Sequence, residues 1–368
     1  MPIFMDRHDM PEDINAEHVA RMHQADLKIE HEYNCRGLTY WCDERRKTAF
    51  CLIEAPNKEA IQKMHNHAHG DVAHRIIEVD ENVVESFLGR IEDPEKSLNT
   101  ELNIINDPAF RVIMVLETSN YLNRLEANQF SVFTQKFHRS VTKTLKHFEG
   151  RIAKQDDKSY LVSFKSVTNA VLCALKIQFN FKYITPRFDA PNRRLNIGLS
   201  AGVPVTDKDQ IFAETITLAT QMCEFVNNQI VISSAVKELY ESENRQVKID
   251  KELIRALRPQ EERFLSQLIK FCEKTCNKSH FNVSTFSAEL GYSKSQLYRK
   301  LIQLTGKSPN NFMKEYRLHR ALNLIHKQFG NISEIAFETG FNSPAYFSKC
   351  FMAKFGILPS RYAQQHTT

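Results

Sequence analysis

The chain has 368 residues, 42% of them apolar and 25% charged, with 49 Lys+Arg against 44 Asp+Glu for a formal net charge of +5. These values describe a globular chain of two or three domains and exclude a disordered or collagen-like one. No apolar run reaches the roughly 20 residues of a membrane span, and MPIFMDRHDM has no signal-peptide core, so a cytoplasmic protein with no membrane contact is expected.

Residues 1–92 read as β-α-β-β-α-β. PIFMDR is a short strand, Asn15 to Tyr33 has helical spacing, GLTYWCDE and TAFCLIEAP alternate as two strands, Asn57 to Gly70 forms a second helix and RIIEV a last strand. That order predicts a ferredoxin-like sandwich serving as an input domain. Its histidines are the chemical question. His65 and His69 stand at i and i+4 on one helix face, His67 lies in the same segment, His74 just beyond it, and His18 and His23 on the first helix. His65, His69, His67 and His23 are the candidate ligands of a divalent transition metal, completed by Asp26, Asp71 or Glu78, since imidazole-rich sites suit Ni, Cu or Zn. Two other readings stay open: a pocket for a small organic effector roofed by Trp41, and histidines that are merely solvated. The run TAFCLIEAPNKEAIQKMHNHAHGDVAHRIIEV resembles a small family of such domains that includes bacterial nickel-binding proteins. The resemblance favours nickel as the metal and assigns no ligands.

Residues 93–108, polar with two prolines, read as a linker. From 109 to 240 the pattern becomes a longer α/β unit. FRVIMVLE is a strand, Gln129 to His147 a helix, GRIAKQ and SYLVSF a strand pair, Ser166 to Tyr183 a helix, LNIGLSAGVPV a strand, Phe212 to Phe225 a helix, and QIVIS a strand leading into the helix SAVKELY. This order, with AVLCALKIQ followed by LNIGLSAG, resembles the catalytic domain of class III adenylate or guanylate cyclases. Those enzymes hold two magnesium ions on two aspartates, because Mg²⁺ takes hard oxygen ligands beside a triphosphate. Here Glu117 falls at the first position and Lys158 at the second, with Asp157 one residue away, while Thr217 and Gln221 stand where the family carries asparagine and arginine. The expectation is a degenerate, non-enzymatic domain. An active nucleotide cyclase fused to the remaining domain is the alternative.

Residues 241–261 are charged and read as a partly helical connection to 262–368. In that last segment, FNVSTFSAELGYSKSQLYRKLIQLTGKSP has apolar Val283, Phe286 and Leu290 before a turn at Gly291. Ser293 then caps a helix that turns Leu297, Leu301 and Leu304 inward. Lys294, Ser295, Gln296, Tyr298, Arg299, Lys300 and Gln303 face outward, a stripe suited to a DNA major groove. A helix from Asn310 to Gln328 leads to IAFETGFNSPAYFSKCFMAKFGILPSRY, a second helix pair. Gly340 supplies its turn, Asn342 or Ser343 the cap, and Pro344, Ala345, Ser348 and Lys349 lie beside the buried Phe347 and Phe351. Ile335, Ala336, Gly340, Phe341, Tyr346, Phe347, Phe351, Gly356, Pro359 and Tyr362 fill the pattern of the AraC/XylS-type transcription regulators, which this segment resembles; Arg361 preceding Tyr362 departs from the tail order. The resemblance implies two recognition helices in successive major grooves of double-stranded DNA. Base selection leans on Gln296 and Arg299, and the second unit on docking.

Charge agrees: residues 262–368 hold 15 Lys+Arg against 6 Asp+Glu, a net of +9, whereas the first 261 hold 34 against 38, a net of −4. The eight cysteines are scattered with no C-x-x-C pair, so reduced thiols are expected, and Cys272 and Cys276 read as packing residues. The expected architecture is multidomain α+β: a ferredoxin-like sandwich, a cyclase-like α/β domain, and an all-α double helix-turn-helix. The expected protein is a homodimeric transcription regulator whose first domains sense a metal or small molecule; a metal-binding protein with an appended DNA reader is a further alternative.

Overall fold

The computed structural model describes residues 1–94, 102–120, 127–156, 159–184, 193–245 and 247–365. β1 (Ile3–Asp9), α1 (Ala16–Ile29), β2 (Arg36–Asp43), β3 (Thr48–Glu54), α2 (Lys58–Ala68) and β4 (Arg75–Val79) build an antiparallel sheet in the order β2-β3-β1-β4, the ferredoxin-like order. Asn15 and Asn57 start the two helices by accepting the amides of His18 and Ala60. The period-2 pleat then sorts the strands: Phe4, Tyr40, Cys42, Cys51 and Ile53 turn toward α1 and α2, while Met5, Trp41, Phe50, Leu52 and Ile77 turn to the opposite face. Trp41 therefore roofs no pocket beside the histidines. It lies fully buried on the far face, with the Arg90 guanidinium 4.5 Å from its ring.

That far face is covered by α3 (Glu81–Leu88), a helix the sequence reading passed over although Asp80 caps its start and Gly89 ends it at a φ of 89°. Covered in this way, the face is not open to a second copy of the chain. α3 packs in turn on the second sheet.

The second sheet comprises β5 (Arg111–Asn120), β6 (Arg151–Gln155), β7 (Ser159–Phe164), β8 (Arg193–Gly202), β9 (Ile230–Ile232) and β10 (Arg255–Ala256), in the order β10-β9-β8-β5-β7-β6. With α4 (Ala127–His147) and α5 (Val167–Ile184), strands β5 to β8 repeat the βαββαβ topology of the first unit. α6 (Ala213–Phe225) and α7 (Ser234–Glu243) lead into two parallel edge strands. α4 and α5 bury one face, through Phe137, Val141, Val171 and Ile177; α6 and α3 cover the other.

Seven helices follow: α8 (Pro259–Thr275), α9 (Val283–Glu289), α10 (Lys294–Thr305), α11 (Pro309–His326), α12 (Ile332–Glu338), α13 (Pro344–Phe355) and α14 (Pro359–Gln365). α8 to α10 and the start of α11 share one core with Met222, Phe225, Val226 and Val231 of the second unit. The end of α11 closes a separate core with α12, α13 and α14. The connection expected to be partly helical is helical only at its two ends, in α7 and from Pro259, with β10 between. Residues 102–108, expected as linker, dock on the first unit: the Tyr40 hydroxyl donates to the Asn103 carbonyl and accepts from the Ile105 amide, both at 2.7 Å.

One buried cation fastens the first two units together. Arg111, 1% exposed, donates to the Phe87 and Leu88 carbonyls at the end of α3 and to those of Pro108 and Phe110, and the Ser163 hydroxyl also donates to Phe87. Arg111→Ala strips buried carbonyls of their donor and is expected to cost about 3 kcal/mol. Urea unfolding of the full chain reads this, and a change below about 0.5 kcal/mol contradicts the clamp.

Candidate nucleic-acid interface and donor cluster

The first helix-turn-helix is set by α9, a turn at Gly291 with φ 74°, and α10. Ser293 accepts the Gln296 amide at 3.2 Å, and the Gln296 side-chain oxygen accepts the Ser293 amide at 2.9 Å, a closed capping box. Leu297, Leu301 and Leu304 are buried, which leaves Lys294, Ser295, Gln296, Tyr298, Arg299 and Gln303 exposed along the opposite side. Two of the sequence candidates are engaged at home. Gln296 spends its oxygen on the cap, and Lys300 turns its ammonium over the rings of Tyr292 at 5.0 Å and Phe264 at 5.5 Å. Arg299 has no partner among the described residues and stands free at the surface.

The second helix-turn-helix repeats the design. Gly340 turns at φ 79°, with Arg317 and the Cys276 carbonyl so close that a side chain would collide with them. Ser343 rather than Asn342 caps α13, accepting the Tyr346 amide at 3.3 Å, and Pro344 opens the helix. Phe347 and Phe351 are buried, Ala345, Tyr346 and Lys349 are exposed, and Pro344 and Ser348 are half-buried. Tyr362 is buried against Phe351. Glu315 of α11 binds Lys307 at 2.6 Å and Lys354 at 2.8 Å, so one carboxylate ties the joining helix to both units; these two ammoniums hold it below the usual glutamate range against the opposing effect of burial.

The second sheet also grips the first reader. Arg255 donates to the Leu304 carbonyl at 3.0 Å and the Gln303 carbonyl at 2.9 Å, and the Asn227 amide reaches Leu304 at 3.0 Å. These bonds satisfy carbonyls that a helix end leaves open. They span about 50 to 80 residues of sequence, and no local pattern announces them.

In the first unit, His65 is buried between two carboxylates, its Nε2 2.8 Å from Asp6 and its Nδ1 3.1 Å from Asp26. His69 reaches Asp26 at 3.3 Å. His8 stands 3.5 Å from Asp6 and 3.4 Å from Asp71. Two donor triads result, Asp6–His8–Cys51 and Asp26–His65–His69, each with its ligand atoms within 4.8 Å of one another. They border a cavity of about 260 Å³. Burial works against the charge of His65, but its bonds to Asp26 and Asp6 prevail and carry it to about 9. Asp6 is likewise held far below the carboxylate range by His8 and His65 in spite of burial. Burial and the Asp6 charge push the Cys51 thiol up to about 12.

His23 lines the same cavity, with its Nε2 3.7 Å from Asp93 and its ring 4.9 Å from that of Tyr40. His67 is exposed and bonded to the Tyr33 hydroxyl at 2.9 Å, outside both triads. His18 caps α1, His74 accepts the Asp9 amide, and Glu78 faces solvent on β4. Asp6, His8 and Cys51 escaped the sequence reading, yet the pleat carries the signal: Asp6 and His8 share the face of Phe4, and Cys51 that of Ile53. Of the cyclase positions, Glu117 ends the run of β5 paired with β7, Thr217 is exposed and Gln221 buried on α6; Asp157 and Lys158 lie outside the described residues.

Residues 286–365 match the family described as Helix-turn-helix domain, and residues 4–79 the family Nickel responsive protein SCO4226-like. The chain carries an AraC-type helix-turn-helix domain behind an SCO4226-like domain. Among curated relatives, histidine kinase P4 of Formosa agariphila is 40% identical over 107 residues, 29% of this chain and 8% of its own length. The uncharacterized HTH-type transcriptional regulator YidL of Escherichia coli is 32% identical over 94 residues, 25% of this chain and 32% of its own. HTH-type transcriptional regulator MtrA of Neisseria gonorrhoeae is 28% identical over 118 residues, 32% and 38% respectively. The chain thus spans less than two fifths of each of these relatives. The crystal structure of SCO4226 from Streptomyces coelicolor is 38% identical and covers 21% of this chain and 94% of its own, with a TM-score of 0.20.

The AraC-type domain owes the start of each recognition helix to one serine. Ser293→Ala is expected to lower stability by about 1 kcal/mol. Chemical denaturation measures it, and an unchanged midpoint contradicts the cap.

Proposed function

We propose that this chain is a DNA-binding transcription regulator. The observation that carries the reading is the exposed face of α10, where Arg299 stands unpartnered between Ser295 and Gln303 on a helix whose opposite face is fully buried. An arginine so placed can fork onto guanine, Tyr298 and Lys294 can hold phosphates, and α13 can dock through Lys349 and Tyr346. Gln296 keeps the helix capped, so base reading falls on Arg299 more than on Gln296. Arg299→Ala is expected to weaken binding by about 1 to 3 kcal/mol and to relax preference at one base pair. Fluorescence anisotropy on variant sites reads this; an equal loss on every sequence, with a shallower salt dependence, makes Arg299 a phosphate contact instead.

A metal-responsive input is the companion reading, supported by the chemistry of the two triads. Imidazole, thiolate and carboxylate donors suit a divalent transition ion such as nickel, and the buried protons on His65 and Cys51 are those such an ion displaces. His65, His69 and Asp26 would hold it on one side, His8, Asp6 and Cys51 on the other. Equilibrium dialysis of the full chain with Ni²⁺ is expected to lose binding in His65→Ala/His69→Ala and to keep it in His67→Ala. Equal binding by all three proteins removes the reading.

We read the second unit as non-catalytic, because a glutamate, a threonine and a glutamine occupy Glu117, Thr217 and Gln221. Cyclic nucleotide formed from ATP or GTP, and lost on Glu117→Ala, overturns that reading.

A further inference from the structure

Between α6 and the reader runs a cleft of two adjoining cavities, about 730 Å³ and 520 Å³, which share Glu224, Phe225 and His319. Each is of the size that takes a small molecule. α6 contributes Thr220, Gln221 and Glu224; α11 contributes Tyr316 and His319, and the loop before it Lys307.

The polar groups of this cleft are unevenly served. Of its cations, Lys307 and Lys354 are held by Glu315 and Arg320 by Glu338 and the Cys276 sulfur, while Arg194 and Lys327 also line it. Two acceptors are unmet. The Gln221 side-chain oxygen is buried with no hydrogen-bond partner, and among the described residues no donor reaches the Glu224 carboxyl. Burial and the neighbouring charge of Glu117 push Glu224 up to about 8, while burial and Lys354 bring His319 down to about 4, so the imidazole opposite supplies no positive charge. The Phe225 ring lies 5.7 Å from that of Tyr316, and the two line the cleft as an aromatic wall. Unmet acceptors beside aromatic faces call for a cation with several N–H groups and a flat or extended body.

We propose that this cleft binds an organic cation, a guanidinium or polyamine, with Glu224 and Gln221 accepting its N–H groups and Phe225 packing on its body. A ligand there touches α6 of the second unit and α11, the helix that joins the two DNA readers, so its arrival sets how the readers are seated. Water filling the same cleft is the competing state.

Isothermal titration of the full chain with agmatine and, separately, spermidine tests the site. Saturable binding of one molecule per chain is expected for at least one probe. Glu224→Gln keeps the shape of the side chain and takes away only a carboxyl that burial already disfavours as an anion, so its thermal midpoint stays or rises while affinity for the cation falls about tenfold or more. Thr220→Arg places a guanidinium one turn from Glu224 and is expected to abolish binding. No binding of either probe by the unaltered chain overturns the proposal, as does a Glu224→Gln or Thr220→Arg protein that binds as the unaltered chain does.

Discussion

Apolar surface shared across the unit boundaries is the constraint on which this structure depends. Met222, Phe225, Val226 and Val231 belong to the second unit, yet they close the same core as Leu265, Leu297, Leu301 and Phe312 of the first reader. On the other side, Met5, Trp41 and Phe50 of the first sheet share a core with α3 and with Ile113 and Phe212 of the second unit. Each large side chain buried in this way is worth about 1.5 to 3 kcal/mol, so parting the units exposes several such contributions together. The first reader is therefore an extension of the second unit. Arg255 and Asn227 fix the end of α10 to it, while α12, α13 and α14 close a core of their own with the end of α11.

Electrostatics follow the same plan of buried, partnered charge. Arg111 is satisfied by backbone carbonyls, Glu315 by two lysines, and His65 by two aspartates. Buried charges are costly to desolvate and are weak evidence for stability, so their concentration in one cavity of the first unit points to chemistry. The linkage has a definite sign. His65 is carried above its ordinary value, so its stabilising contribution is full below the unfolded pKa of about 6.5 and fades as pH rises through about 9.

Much of this was legible in the chain itself, because local rules carried it. Ser293 before a leucine-spaced run, Gly291 and Gly340 at turns, and Pro344 inside a capped start fix both readers with no reference to distant residues. The ferredoxin-like order followed from alternation in β1, β2 and β3. The pleat also sorts the side chains, carrying Trp41 to the far face and Asp6, His8 and Cys51 to the face of the histidines, and strand alternation read without that sorting leaves all four unassigned. His67 shows the opposite failure: its helix is right, but two residues of rotation from His65 turn it to solvent while His65 and His69 turn inward. Contacts such as Arg255 on Leu304, or the lining of one cleft by Gln221 of α6 and Tyr316 of α11, join segments far apart in sequence and become visible only when the chain is folded.

The central claim is that both helix-turn-helix units engage one face of a DNA duplex. Hydroxyl-radical footprinting of the full chain on a fragment selected from a random pool tests it most directly. The account predicts two protected stretches about 10 base pairs apart on the same face, the outer one lost when Lys349 is replaced by glutamate. A single protected stretch, or protection spread evenly along the fragment, contradicts it.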